Sequence, residues 1–219
     1  MTASAEPRYV PAAGWSAFTR LYDPVIGRAM REERFRGAML ARVDADLPEG
    51  GTVVDVGSGT GTFALALKRR RPDARVVGVD GDPEILALAQ AKPGAAGIEW
   101  RQGLAQELSA EAGTVDVVTT SLVLHHLLPE DKRTSLEEMK RALKPGGRLH
   151  VADWGRPSDP LMSGLFYIVQ VADGFDRTAD HRAGRLPTFI EAAGFKAIER
   201  YGRVRTAFGV VELLAAQGA

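Results

Sequence analysis

The residues that most suggest chemistry run from Val53 to Thr62, Val-Val-Asp-Val-Gly-Ser-Gly-Thr-Gly-Thr. Glycines at alternate positions, Gly57, Gly59 and Gly61, let a chain turn sharply off a strand and bring its backbone close to a ligand. A dinucleotide-binding loop in G-x-G-x-x-G spacing would place its third glycine at position 62, to seat a pyrophosphate against a helix N-terminus. Position 62 is threonine and the third glycine is Gly61. Nineteen residues past Gly61, at the end of the next valine-rich run, stands Asp80. A carboxylate there accepts hydrogen bonds from both hydroxyls of a ribose. Loop and carboxylate together predict an adenosine-containing ligand and leave its remainder open.

The elements that must position these residues follow from pattern. Short apolar runs at Thr52–Val56 and Arg75–Val79 flank a helical stretch from about Thr62 to Arg71, and a second helix follows from Pro83 to Ala91. Near-continuous apolar strands joined through helices imply a parallel sheet buried on both faces. Further strands are predicted at Ile98–Gln102, Val115–Leu122 and Arg148–Trp154, with a helix Pro129–Leu143 stopped by Lys144-Pro145-Gly146-Gly147. The alternation argues for a doubly wound α/β sheet. It is interrupted after Gly155 by a loop, a short apolar helix Leu161–Ala172 and a polar stretch, Asp-Gly-Phe-Asp-Arg-Thr-Ala-Asp-His-Arg-Ala-Gly-Arg. A last helix over Phe189–Ala193 and a strand pair, Ala197–Val204 and Arg205–Leu214, close the pattern. Before the sheet, Pro24–Leu47 reads as a helix or helix pair whose arginines (Arg28, Arg31, Arg34, Arg36) form a solvated face pairing with Glu32 and Glu33.

Composition narrows the classes. The chain has 219 residues with 28 basic and 28 acidic side chains, so it offers no electrostatic footprint for nucleic acid or anionic lipid. It has no cysteine, which excludes disulfides, thiolate nucleophiles and cysteine-ligated metals. No stretch reads as a signal peptide or reaches the ~18 apolar residues of a membrane span, so a cytoplasmic monomer or homodimer is expected.

Four segments in order, VVDVGSGTG, VVGVDGDP, VDVVTTSLVLHHL and LKPGGRLHVADWG, resemble the class I S-adenosylmethionine-dependent methyltransferases. LYDPVIG, the HHL after the fourth strand and ADWG followed by SDP most resemble the family that includes the ubiquinone and menaquinone C-methyltransferases. The resemblance implies a Rossmann-like, seven-stranded, mostly parallel sheet with an antiparallel terminal strand and a helical lid. Only the first five strands follow from the pattern itself. The lid would comprise residues 1–47, with the core at 48–219 and a lid insertion at about 155–187. By the same resemblance, S-adenosylmethionine is the cofactor, with Gly57, Ser58, Gly59 and Gly61 around its methionyl part and Asp55 ordering that loop. Asp80 would hold the ribose, Gly81, Asp82 and Pro83 would border the adenine, and Leu104 and Ala105 would lie on its other side. Many relatives carry an acidic residue where this chain has Leu104, so that contact to the adenine amino group departs from the family's pattern, and Gln106 or a backbone carbonyl could substitute. Ser121 and Leu122 would complete the methionine pocket, and Tyr22 either faces the sulfonium or packs the lid. Trp154 reads as a packing aromatic.

Methyl transfer is an in-line displacement in which alignment alone supplies much of the acceleration. The acceptor expected is a small, apolar or aromatic molecule reacting at carbon or oxygen. His126 is the catalytic candidate, and His125, on the adjacent position and therefore expected to face elsewhere, is assigned a structural hydrogen bond. Asp153, Asp173, Asp176 and His181 are further polar candidates, and since no ligand spacing among them is distinctive, no metal is expected. Two alternatives remain: a methyltransferase scaffold that keeps the cofactor for another role, and a nicotinamide-dependent oxidoreductase. Thr62 and the lack of a Tyr-x-x-x-Lys pair count against the second.

Overall fold

The computed structural model describes residues 30–218. It is built on a seven-stranded sheet of order β3-β2-β1-β4-β5-β7-β6. The strands are β1 (Thr52–Val56), β2 (Arg75–Asp80), β3 (Glu99–Gln102), β4 (Val115–Ser121), β5 (Leu143–Trp154), β6 (Lys196–Arg205) and β7 (Val210–Gln217). Pairings among the first five are parallel, whereas β7 runs antiparallel to both β5 and β6. The expected doubly wound sheet with one reversed terminal strand is therefore present.

Side-chain alternation assigns each strand residue to one of two cores. Val53, Val76, Val117, Ala152 and Leu213 face one layer, and Val54, Val77, Val118, Val151 and Leu214 face the other. The first layer takes α1 (Glu32–Asp46), whose Phe35, Met39 and Val43 recur at helical spacing and are fully buried, and α2 (Thr62–Arg70). The second takes α4 (Pro129–Ala142) through Leu136 and Met139, and α7 (Leu186–Ala192) through Ile190. Each such side chain contributes roughly 1.5–3 kcal/mol by leaving water, so the sheet is fixed well before any site geometry matters. Between β2 and β3 lies α3 (Pro83–Gln90), capped by the Asp82 carboxylate, which accepts from the Glu84 and Ile85 amides.

Three expectations need correction. The polar stretch after Asp173 is a helix, α6 (Phe175–Ala183), following α5 (Pro160–Asp173) across Gly174. The buried positions of α6 are Thr178, Asp180 and His181, so it carries no apolar stripe for a periodicity argument to find. Strand β5 begins at Leu143, five residues before the expected start, because Leu143 pairs with Val115 before the Pro-Gly-Gly turn shifts the register. The final hairpin turns at Thr206–Gly209, where the Thr206 amide donates to the Gly209 carbonyl, later than the break at Arg205 that was expected. In addition, α7 starts at Leu186 rather than Phe189. No helix among the described residues is long and apolar enough to cross a membrane.

Candidate active site

The chain leaves β1 towards β2 and β3 on one side, then crosses to β4 on the other, so a crevice opens at the carboxyl ends of β1 and β4. Open α/β sheets gather ligands at that switch point. A cavity of about 470 Å³ lies there, bounded by Gly57, Ser58 and Gly59, by Asp80 and Gly81, and by Leu104 to Gln106. Ser121 to Val123, His126 and Arg36 close it on the other sides.

The glycine loop is shaped by its lack of side chains. Gly57, Gly59 and Gly61 all have positive φ, at 69°, 53° and 75°. A β-carbon on Gly57 would lie 2.1 Å from a Val123 methyl, and one on Gly61 would lie 2.4 Å from the Trp100 ring. The amides of Gly57 and Ser58 both donate to the Val79 carbonyl, which ties the loop to β2. One Asp80 carboxylate oxygen accepts from the Gly59 amide at 2.7 Å and the other from the Asp82 amide at 3.0 Å. Each oxygen retains a lone pair for a ribose hydroxyl. Asp80 thus joins the ligand to the two turns that border it.

Residues expected in the crevice divide by what they touch. Gly57, Ser58, Gly59, Asp80, Gly81, Leu104, Ala105, Ser121, Leu122 and His126 line the cavity. Gly61 does not: it is the N-cap of α2 and packs against Trp100. Asp82 and Pro83 are spent on starting α3. Asp55 lies behind the loop, 1% exposed, accepting from the Thr119 hydroxyl at 2.8 Å. Burial pushes its pKa up to about 7, against the lowering effect of that hydrogen bond and of Arg36. Tyr22 lies outside the described residues.

Arg36 makes the expected ion pair with Glu32, at 3.2 Å, yet it is only partly solvated and also lines the cavity. The stripe Phe35–Met39–Val43 turns that side of α1 inwards and carries the neighbouring Arg36 with it. Arg177 of α6 and Asp131 of α4 also reach the cavity. Sequence gave no signal for Arg177, because α6 itself was missed.

The two histidines correct a second expectation. After β4 the backbone enters the left-handed region at Leu122, φ 57°, and then makes one 3₁₀ turn over Leu124–His126. That turn brings both imidazoles to one side, with ring centroids 4.0 Å apart. Asp153, buried at the end of β5, anchors the turn by accepting from the Leu124 amide at 2.8 Å and pairing with His125 Nδ1 at 2.7 Å. Burial opposes the ionisation of Asp153, but His125 and the surrounding donors hold its pKa well below the usual carboxylate range. Asp173, at the end of α5, meets His125 Nε2 at 3.6 Å and His126 Nδ1 at 3.4 Å. Burial, assisted by His125, lowers the pKa of His126 and favours its neutral form, an imidazole with a lone pair to offer. His181 is 1% exposed and stands 3.8 Å from Asp153, its pKa pushed down to about 3 by burial. Asp176 is exposed and takes no part in this group.

Residues 53–147 match the family described as methyltransferase domain. A demethylmenaquinone methyltransferase of Lactiplantibacillus plantarum is 31% identical over 187 residues, covering 73% of this chain and 78% of the relative. The chain belongs to the class I S-adenosylmethionine-dependent methyltransferases, of the ubiquinone/menaquinone C-methyltransferase kind. Another member, the ubiquinone/menaquinone biosynthesis C-methyltransferase of Syntrophotalea carbinolica, is 35% identical over 118 residues, which is 53% of this chain and 49% of that protein. This methyltransferase therefore aligns with only about half the length of some curated relatives. Its fold matches a SAM-dependent methyltransferase of Aquifex aeolicus with a TM-score of 0.66 at 21% identity, covering 93% of this chain and 98% of that one.

The residues present fit the family's cofactor. Asp80 has acceptor capacity left on both oxygens at the cavity wall, and a β-carbon on Gly59 would meet nothing within 4 Å, so the glycine loop leaves the space beside it open to a ligand.

Proposed function

We propose that this methyltransferase methylates a small, apolar or aromatic acceptor at carbon or oxygen. The observation that carries the reading is the single cavity wall shared by the glycine loop, Asp80 and His126. S-adenosylmethionine, when bound, supplies an electrophilic methyl group on a sulfonium leaving group. Asp80 would receive the ribose hydroxyls, and Leu104 and Ala105 would flank the adenine, with Gln106 beside them to receive its amino group. Arg36, which lines the cavity while pairing with Glu32, would meet the methionyl carboxylate. Ser58, Ser121 and Leu122 would bound the methionyl chain.

His126 is the residue we assign to the acceptor, since among the described histidines it alone lines the cavity. Its neighbours there, Val123, Leu127 and Leu128, are aliphatic, which favours a hydrophobic acceptor over a sugar or peptide. The names of the relatives agree with a small acceptor, one acting in ubiquinone/menaquinone biosynthesis and another being a trans-aconitate 2-methyltransferase. Helices α5 and α6, within the 155–187 insertion, would act as the lid over both ligands, whereas α1, expected in the lid, packs on the sheet.

The test is formation of S-adenosylhomocysteine across a panel of phenols, quinols and enolisable acids, with wild type and His126→Ala compared. Turnover with an aromatic or enolic acceptor, reduced at least tenfold by His126→Ala while cofactor affinity holds, is expected. Cofactor binding with no product on any acceptor would sink the reading and favour a scaffold that keeps the cofactor for another role.

A further inference from the structure

His125, His126 and Asp173 bring two imidazoles and a carboxylate together beside the cleft. His125 Nδ1 lies 2.7 Å from Asp153 Oδ1, an ordinary charge-assisted distance, which leaves Nε2 turned towards Asp173. The contacts to Asp173 are longer, 3.6 Å from His125 Nε2 and 3.4 Å from His126 Nδ1. Separations of that length leave room for a small cation between the rings and the carboxylate.

The spacing states what size of charge fits. Bonds of about 2.1 Å from nitrogen and oxygen to a tetrahedral ion place neighbouring ligand atoms about 3.4 Å apart. One ligand atom from each of the three residues lies within 4.8 Å of the others, and each imidazole has one oxygen of the Asp173 carboxylate within a few tenths of 3.4 Å, Oδ2 for His125 and Oδ1 for His126. Behind the group, Asp153 holds His125 by its other nitrogen, the arrangement that fixes tautomer and ring orientation in histidine-ligated metal sites.

We propose that His125 Nε2, His126 Nδ1 and the Asp173 carboxylate bind a divalent transition-metal ion of the zinc class. Two imidazoles and one carboxylate are the ligand set such ions prefer, and too few oxygens for magnesium or calcium. Because His126 also lines the cleft, the ion borders the acceptor and offers an open position to an acceptor oxygen. This role for the ion rests on the proposed methyl transfer; the binding of the ion does not. Asp173 ends α5, so the ion also ties the lid insertion to the turn after β4.

The experiment is calorimetric titration of the chelator-treated full chain with Zn²⁺, and separately with Mg²⁺. Variants Asp173→Ala and Asp176→Ala are run beside wild type, and S-adenosylhomocysteine binding is measured in each. One Zn²⁺ per chain with a micromolar or tighter Kd is expected. Asp173→Ala should weaken it at least tenfold, Asp176→Ala should leave it unchanged, and Mg²⁺ should not bind. No stoichiometric Zn²⁺ binding in a protein that binds S-adenosylhomocysteine overturns the proposal. Zn²⁺ binding that survives Asp173→Ala, or equal binding of Mg²⁺, overturns it as well. Zn²⁺ binding lost in Asp173→Ala, from a chain that never binds S-adenosylhomocysteine, would sustain the metal site and sink the functional reading alone.

Discussion

The two halves of the cleft are built on different principles. On the cofactor side, backbone does most of the holding: three left-handed glycines, amides donating to Val79 and Asp80, and one carboxylate between two turns. All of it comes from 26 consecutive residues, 57 to 82, from the loop after β1 through α2 and β2 to the turn into α3. On the acceptor side, side chains do the holding, and they converge from β5, the turn after β4, α5 and α6. A site made of backbone leaves a spacing in the sequence, because its left-handed φ values and close contacts favour glycine. A site made of convergent side chains leaves residue types at distances that only folding brings together.

The sharpest way to break the comparison is to put a side chain into the backbone half. Gly57→Val adds a β-carbon 2.1 Å from a Val123 methyl at a φ of 69°, combining overpacking with left-handed strain. A loss of about 2–5 kcal/mol of stability is expected, with cofactor binding abolished, and denaturant unfolding with a cofactor titration checks both. If Gly57→Val binds cofactor normally, the loop is not built as described.

Asp55 tests how that half responds to pH. Its pKa in the folded chain is about 7, against 3.8 as a free side chain, so the native state binds more protons than the unfolded chain between about pH 4 and 7. Stability contributed through Asp55 therefore falls as pH rises across that window. A shift of about 3 units caps the effect at about 4 kcal/mol. Asp55→Asn should flatten the decline, read as unfolding free energy at pH 5 and pH 8. An unchanged slope would mean that Asp55 is not desolvated.

A smaller effect, confined to binding, is expected from Asp80→Ala. Losing hydrogen bonds to a charged group should cost about 1.5–3 kcal/mol of cofactor affinity while the sheet stays intact. An unchanged Kd for S-adenosylhomocysteine would remove Asp80 from the ribose.

This division also explains what could be read in advance. The parallel strands, α2 and α3 were legible because valine-rich runs, proline at N1 and glycine breaks are local signals. Asp80 was legible because its distance from the loop is set by one strand–helix–strand unit. The Arg36–Glu32 pair was legible in the charge pattern, but the place of Arg36 at the cavity depends on the Phe35–Met39–Val43 stripe beside it. Helix α6 was invisible because its buried face is Thr178, Asp180 and His181, held by polar partners such as Lys132 rather than by an apolar layer. The common orientation of His125 and His126 depends on Leu122 adopting a positive φ, which its identity gives no reason to expect.

The most direct test of the central claim, that this cleft is an adenosyl-cofactor site, is parallel calorimetric titration with S-adenosylmethionine, S-adenosylhomocysteine and NADH. Micromolar binding of the first two at one site per chain, and none of the third, is the result expected from a loop with threonine at position 62 and a carboxylate at Asp80 with acceptor capacity left on both oxygens. Binding of NADH in place of the adenosyl ligands would contradict the account.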